Sequence, residues 1–472
     1  MIVDQYHSGT GEGAKLYGTA LPRLAWYAAL TMVVWCSVIR GGNRYVALQL
    51  LEVFAFTVLT GLIWRLYTAP DCLRALGQGF RKWALITLLA APVWVGLLQL
   101  LPLPFGLWSA LPSRTDLAAL IAALQNDALT FLPLSLAPEA TRASLLAGLP
   151  VVACLALGIF GTQRQTGVLL RVWVGAALLQ ASLGLLQMGP FPALYFGLES
   201  NELVGTFASK NTYSNFLVMT LPLVVWRLSA HSGKGYNADR RFQWLWGLTM
   251  FTLLAALLAA GSRTGIATGL LVTTLAVAML SFQTSGRWGG LPTAGWVLLA
   301  LLLLALLAGG VDWVARFDGD LLVADDALRG LNRRSAWKGV EFFGPLGAGL
   351  GSFATVFPRF QAPELGRHLV DLAHSDYLQL MMDLGVFALP LGAAALGLVL
   401  NRAWGMAQAR RSTKGWAATD QLAVACGLGA LATALHAWVD YPFHIPANAM
   451  LAAFLLGVFL REPTPAQASQ QK

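Results

Sequence analysis

An all-α polytopic membrane protein is the fold class predicted for this chain of 472 residues, and three observations predict it. Hydrophobic residues make up 57% of the chain and charged residues 12%, against roughly 45–50% and about 25% in an average soluble domain. The apolar residues fall in continuous runs near the ~20 residues needed to cross a hydrocarbon core of roughly 30 Å. The runs do not alternate apolar with polar, so helices rather than barrel strands are expected to span the bilayer. An ordinary cytosolic enzyme is excluded. The net charge of +9 comes mostly from cations between apolar runs, a positive-inside pattern and not a nucleic-acid surface.

Taken in order, about twelve spans centre on residues 24–39, 45–68, 83–103, 143–161, 166–188, 207–229, 242–260, 264–283, 291–309, 376–400, 418–437 and 445–460. Roughly twenty polar, Gly-containing residues precede the first run, which lacks a small-residue cleavage site; a retained anchor is expected rather than a signal peptide. With the N-terminus inside, the cytoplasmic loops hold Arg74, Arg81, Lys82, Arg164, Lys234, Arg240, Arg241, Arg287, Arg402, Arg410, Arg411 and Lys414. The opposite short loops hold Arg40, Arg44 and little else. Both termini, including a tail over 462–472, are therefore expected in the cytoplasm, and residues 1–472 read as one membrane domain.

Two external segments stand out. Residues 104–142 are rich in Pro and Leu and read as turns and short membrane-skimming pieces. Residues 310–373 are the largest polar segment and carry Arg316, Arg329, Arg333, Arg334, Lys338, Arg359 and Arg367 on the side where cations are not expected. Anionic ligand binding is the first explanation for that placement.

Within this segment, residues 325–343 have helical character, with Leu328, Leu331, Trp337 and Val340 able to form an apolar side near the membrane surface. Arg333 lies one turn before Trp337, and Arg334 one turn before Lys338. A solvated face on an interfacial helix is one reading of these charges. The other is a phosphate clamp, since guanidinium groups bind phosphate oxygens in a fixed bidentate geometry. The following GPLGAGLGSF, residues 344–353, lacks the Lys-Ser/Thr ending of a P-loop; its glycines are expected to allow a close turn.

His374 sits where the outer segment enters a membrane helix, with Asp371 and Asp376 near in sequence. Imidazole titrates near neutrality, so a boundary histidine suits removal of a proton from a sugar hydroxyl, although hydrogen bonding alone is the plainer role. Arg263 at the start of one span and Lys210 at the start of another are explained singly by snorkelling. Their shared external location with the arginine segment favours a common anion site. His436, Asp440 and His444 surround an external turn and make a weak metal signal; hydrogen bonds that shape a cavity are expected there. Glu52 and Asp383 lie within apolar runs, either packed against polar partners or coupling protons in a transporter. The four cysteines, Cys36, Cys72, Cys154 and Cys426, show no metal or disulfide spacing.

Together, GTFASKNTYSNFL, SRTG, the Arg333-to-Trp337 spacing before PLGAGLGSF, AHSDYLQLMMDLGVFAL and DYPFHIPANAM resemble the O-antigen ligase and Wzy-type polymerase superfamily over residues 140–460. The resemblance implies a GT-C-class membrane glycosyltransferase with a large periplasmic loop in the bacterial inner membrane, working without metal, nucleotide sugar or other cofactor. Such an enzyme moves a glycan en bloc from undecaprenyl diphosphate to an acceptor sugar hydroxyl, with inversion. By motif, His374 matches the general base, while Arg263 and Arg333, with Arg334 and Lys210 as further candidates, match positions for the diphosphate. Asp376, Tyr377, Asn211, Asp440 and His444 are expected to support the site or bind acceptor. The implied partners are the lipid-linked glycan donor, a lipid-linked repeat unit or lipid A-core as acceptor, membrane lipids, a flippase and a chain-length regulator; nucleic acid is not among them.

Repeat-unit polymerase is favoured over ligase because the chain is long and its DYPFHIPAN turn is similar to exopolysaccharide members. A secondary transporter is the rival from another class. Internal repeats and midplane polar sites would be expected of it, whereas here the polar residues gather at one face. A scaffold of a polysaccharide-export complex would leave the external arginines and His374 replaceable.

Overall fold

The computed structural model describes residues 20–124, 130–189, 203–230, 240–281, 319–366, 370–413 and 418–462. It is mostly helical. Helices α1 (Arg23–Val38) and α2 (Tyr45–Thr68) are followed by α3 (Gly79–Leu89) and α4 (Ala91–Leu100). These two are bent by 61° at Ala90, where Pro92 in the first turn of α4 removes a backbone donor. Next come α5 (Phe105–Ser109), α6 (Thr115–Ala123), α7 (Pro138–Ala147), α8 (Leu149–Phe160) and α9 (Gln163–Leu186). Helix α9 starts with a capping box, Gln165 N–H donating to Thr162 Oγ1 at 3.2 Å and Thr162 N–H to Gln165 Oε1 at 3.1 Å. The remainder comprises α10 (Lys210–Ala230), α11 (Arg240–Ala260), α12 (Arg263–Ser281), α13 (Gly319–Phe343), α14 (Phe353–Val356), α15 (Asp376–Leu384), α16 (Ala388–Thr413), α17 (Ala418–His436) and α18 (Pro446–Leu460).

Among the described residues five helical stretches are long and apolar enough to cross a membrane, or six if the bent pair α3–α4 forms one span. They are α2, α7–α8, α9, α12 and α15–α16, and α1, α18 and part of α11 are apolar but shorter. The expected span at 291–309 lies outside the described residues. Helix α10 is buried on all sides from Thr212 to Val225 and packs on α12 and α17, as a helix without a polar stripe should. Helices α8 and α18 make the most extensive pair. A Cβ on Gly158 would lie 2.7 Å from Gly457 Cα, so the paired glycines permit the close crossing.

The two long inter-helix segments form one packed unit with a core of its own, built on Ala336, Phe343, Phe353, Phe357, Leu365 and Met382. The described parts of residues 104–142 carry regular structure beyond the expected turns. Strands β1 (Pro102–Pro104) and β2 (Phe131–Pro133) pair antiparallel, with Leu103 opposite Leu132. Arg114 is fully buried and donates to the carbonyls of Leu134 (2.8 Å) and Gly347 (3.2 Å). The apolar side expected on helix α13 is divided: Leu331 and Val340 pack on the segment's own core, while Leu328 and Trp337 are exposed, so tertiary burial takes part of the face that interfacial binding would use.

Candidate functional site

His374 lies just ahead of α15 and has a left-handed backbone, φ 52°. Such a conformation is uncommon for a residue with a Cβ and is held there by its surroundings. Asn332 of α13 donates to Leu372 O at 3.1 Å, and Ala373 N–H donates to Gln379 Oε1 at 3.0 Å. Ser375 caps α15, and Asp376 sits in its first turn, where a carboxylate complements the helix dipole. The backbone N–H of Asp376 reaches the carbonyls of Ala437 and Asp440 at the end of α17. The histidine is thereby fixed over the turn 437–445.

Three imidazoles and two carboxylates meet at that turn. His374 Nδ1 is 3.6 Å from Asp440 Oδ1, and His436 Nε2 is 3.9 Å from Asp440 Oδ2. Asp440 and His436 are buried, while the His374 side chain keeps 32% of its surface. Burial acts to raise the Asp440 carboxyl, but His374 and His436 together hold it below the ordinary carboxylate range. On the other side His444 Nδ1 is 2.5 Å from Asp376 Oδ1, and Phe443 N–H donates to Asp376 Oδ2 at 2.8 Å. Gln379 Nε2 lies 2.9 Å from His444 Nε2. Since Gln379 Oε1 already accepts from Ala373, its NH₂ group faces that nitrogen, which is an acceptor in the uncharged ring. Burial opposes a charge on His444; its bond to Asp376 and the nearby Asp383 and Asp371 outweigh this and raise it above its usual value.

The cation side is reached through Tyr441, whose ring centroid is 5.1 Å from that of His374. Burial and the Asp440 charge push its phenol up to about 12, opposed by a hydrogen bond with Ser209 and by the charge of Arg329. Arg329 is therefore within electrostatic reach of the histidine site. Ser209 Oγ accepts from Asn211 N–H at 3.3 Å, and Ser262 Oγ donates to Asn211 Oδ1 at 2.8 Å. These bonds join the starts of α10 and α12, where Lys210 and Arg263 stand. Arg333 is one turn along α13 from Arg329 and lines a groove with Arg334 and Leu378.

No family model and no curated protein matches this chain. The site is therefore read from its own geometry.

The structure brings together His374, Asp376, Asp440 and His444, and links them through Tyr441 and Ser209 to Asn211, Lys210 and Arg263. Arg333 and Arg334 lie in the adjoining groove. Tyr377 is turned elsewhere: its hydroxyl donates to Ala434 O at 2.8 Å and its ring meets Trp438. Sequence reasoning counted Arg329 among the cations of residues 310–373 without giving it a role at the site, and passed over Tyr441, Ser209 and Gln379. The four-residue step from Arg333 was a usable signal for Arg329; Ser209 and Gln379 gave none, because their roles exist only after folding. Asp383 is a structural acceptor, taking Gly351 N–H at 2.8 Å beside Ser352 Oγ at 3.4 Å. Among the described residues, no group of three or more His, Cys, Asp and Glu side chains is disposed to hold a metal ion.

Chemically, the arrangement offers a part-exposed imidazole backed by an ionised carboxylate, at the foot of a helix that carries cations. A base with an orienting acid and an adjacent anion site suits transfer of a group from an anionic leaving group to a neutral hydroxyl. The 3.6 Å separation of His374 and Asp440 is longer than a hydrogen bond and leaves His374 Nδ1 without a hydrogen-bond partner, as is common for catalytic contacts in the absence of substrate.

Proposed function

We propose that this chain is a membrane glycosyltransferase of the GT-C class, with about twelve spans, that transfers an undecaprenyl-diphosphate-linked glycan to an acceptor sugar hydroxyl at the periplasmic face of the bacterial inner membrane. Repeat-unit polymerase is the preferred form of the activity. The observation that carries the reading is the His374–Asp440 pair, placed at the junction of the outer segment and a membrane helix with Arg329 in electrostatic reach. The order of the motifs SRTG, PLGAGLGSF, AHSDYLQLMMDLG and DYPFHIPAN supports it.

In this mechanism the acceptor oxygen attacks the anomeric carbon as its proton passes to His374 Nε2. The bond from that carbon to the diphosphate oxygen breaks, and its electron pair leaves with undecaprenyl diphosphate. Asp440 holds His374 by Nδ1–H and stabilises the imidazolium that forms. Lys210, Arg263 and Arg329 take up the charge developing on the diphosphate, with Arg333 at its outer edge. Single displacement inverts the anomeric configuration.

The test is reconstitution of the full chain in proteoliposomes with an undecaprenyl-diphosphate glycan and either a lipid-linked repeat unit or lipid A-core as acceptor. A ladder of products on the repeat unit supports the polymerase, and one capped lipid A-core product reassigns the chain as a ligase. Absence of transfer to both, or a product of retained configuration, overturns the mechanism.

A further inference from the structure

Helix α13 carries a groove that the donor chemistry uses only at its Arg333 end. Arg333, Arg334, Trp337, Lys338 and Glu341 line it, with Leu378, around an open surface groove of about 710 Å³. Arg333, Arg334 and Lys338 make no hydrogen bond or ion pair with any described residue. Arg334 and Lys338 are one turn apart, an unfavourable like-charge spacing on a helix, and a single carboxylate, Glu341, stands among three cations. That carboxylate accepts the Trp337 indole N–H at 2.7 Å, so the indole is held in place while the residue stays 48% exposed.

Unanswered cations beside a fixed, exposed aromatic ring match a ligand with an anionic group on a rigid, partly apolar ring. We infer that the groove binds an acidic sugar, a uronic acid of the glycan handled at the adjoining histidine site, with its carboxylate between Arg334 and Lys338 and the C–H face of its ring on Trp337. The inference rests on the glycan-transfer reading for the origin of the sugar. A guanidinium pairs with a carboxylate through two parallel hydrogen bonds, and the aromatic face supplies apolar contact. An anionic lipid headgroup has similar charge. It is disfavoured because Leu331 and Val340 of α13, which would have to enter the bilayer with Trp337, are packed instead on the core that holds Phe353 and Phe357.

The experiment is calorimetric titration of the detergent-purified full chain with a short oligogalacturonate, with the same oligosaccharide reduced to neutral sugars, and with inorganic phosphate. The acidic oligosaccharide should bind at least about tenfold more tightly than the neutral one, a difference of about 1.4 kcal/mol, and more weakly as salt rises. Trp337→Ala and the pair Arg334→Ala with Lys338→Ala should each lose tenfold or more while keeping the wild-type melting temperature. Trp337→Phe should recover part of the binding. Equal binding of the neutral sugar, inorganic phosphate matching the oligogalacturonate, or undiminished binding by the variants overturns the proposal; so does competition from anionic-lipid nanodiscs but not zwitterionic ones, which would reassign the groove to lipid. His374→Ala should leave this binding intact, so a failed transfer assay with intact uronate binding removes the transferase reading alone.

Discussion

His374 Nδ1 faces Asp440 Oδ1 across 3.6 Å, and the histidine holds that position with a backbone φ of 52°. Two elements far apart in the chain are needed for the pair: the entry to α15 supplies the imidazole and the end of α17 the carboxylate. Deleting the imidazole removes the proposed base, for which a loss of about 10²–10⁴-fold in turnover is expected. His374→Ala should show that loss in the proteoliposome assay while donor binding persists; turnover within a few-fold of wild type would refute the base role.

Asp440 acts on the reaction through the histidine. Asp440→Asn keeps the shape but removes the carboxylate charge facing the His374 imidazole across 3.6 Å, so kcat should fall by tenfold or more with KM little changed, and Asp440→Glu should recover part of the loss. A purely structural role would lower the amount of folded protein and leave kcat per folded molecule near wild type.

Arg359 braces the fold, whereas the charge of Arg329 is felt at Tyr441 beside His374. Arg359 pairs with Asp116 at 2.7 Å and lies 4.3 Å over the Phe342 ring, tying the two outer segments together. Arg329→Ala should raise the KM for the lipid diphosphate or lower kcat by tenfold or more, whereas Arg359→Ala should leave both near wild type. Equal losses in the two would mean that Arg329 is another brace.

Arg114 and the glycines of residues 344–353 test the packed unit formed by the two outer segments. Removing the Arg114 fork leaves the buried carbonyls of Leu134 and Gly347 without their donor, at a cost of roughly 1–3 kcal/mol for an unsatisfied group. Gly347 has φ 78°, and a Cβ there would lie 2.5 Å from Asp383 O, so Gly347→Ala adds about 1–2 kcal/mol of left-handed strain to a clash with backbone. Both variants should lower the melting temperature, and Arg114→Ala should open residues 104–142 to limited proteolysis. Wild-type stability in both would show that this unit adds nothing to the fold.

These contrasts mark how far the sequence could be read. Apolar run length located the long helices, and the helical pattern of residues 325–343 located α13. The same pattern did not show that Leu331 and Val340 pack on the segment's own core while Leu328 and Trp337 stay exposed, because periodicity marks an apolar face but not what covers it. Counting cations in residues 310–373 could not separate bracing from binding: nothing in the sequence showed that Arg359 would pair with Asp116. Motif order led to His374. The Asp440 partnership and the Gln379 bridge depend on contacts between residues more than sixty positions apart, for which local spacing carries no signal.

His444 carries the pH dependence of the site's stability. Its pKa is raised in the folded protein against the cost of desolvation, because Asp376 accepts from it and Asp383 and Asp371 add negative charge. A group raised on folding stabilises fully below its unfolded value, about 6.5 for histidine, and that contribution disappears as pH climbs through the folded value. Asp440 has the opposite sign: held below the usual carboxylate range, it stabilises at neutral pH and is lost only on strong acidification. Stability from the site should therefore decline on the alkaline side of pH 6.5 and hold through mild acid. In the wild type the Gln379 amide limits charging of His444, since a proton on Nε2 would force the amide to turn and release Ala373 N–H. Gln379→Glu offers an acceptor to both groups. It should push the His444 titration higher and carry the decline in melting temperature to higher pH. A melting profile that keeps its wild-type pH dependence in Gln379→Glu would show that the Asp376–His444–Gln379 chain does not control this proton.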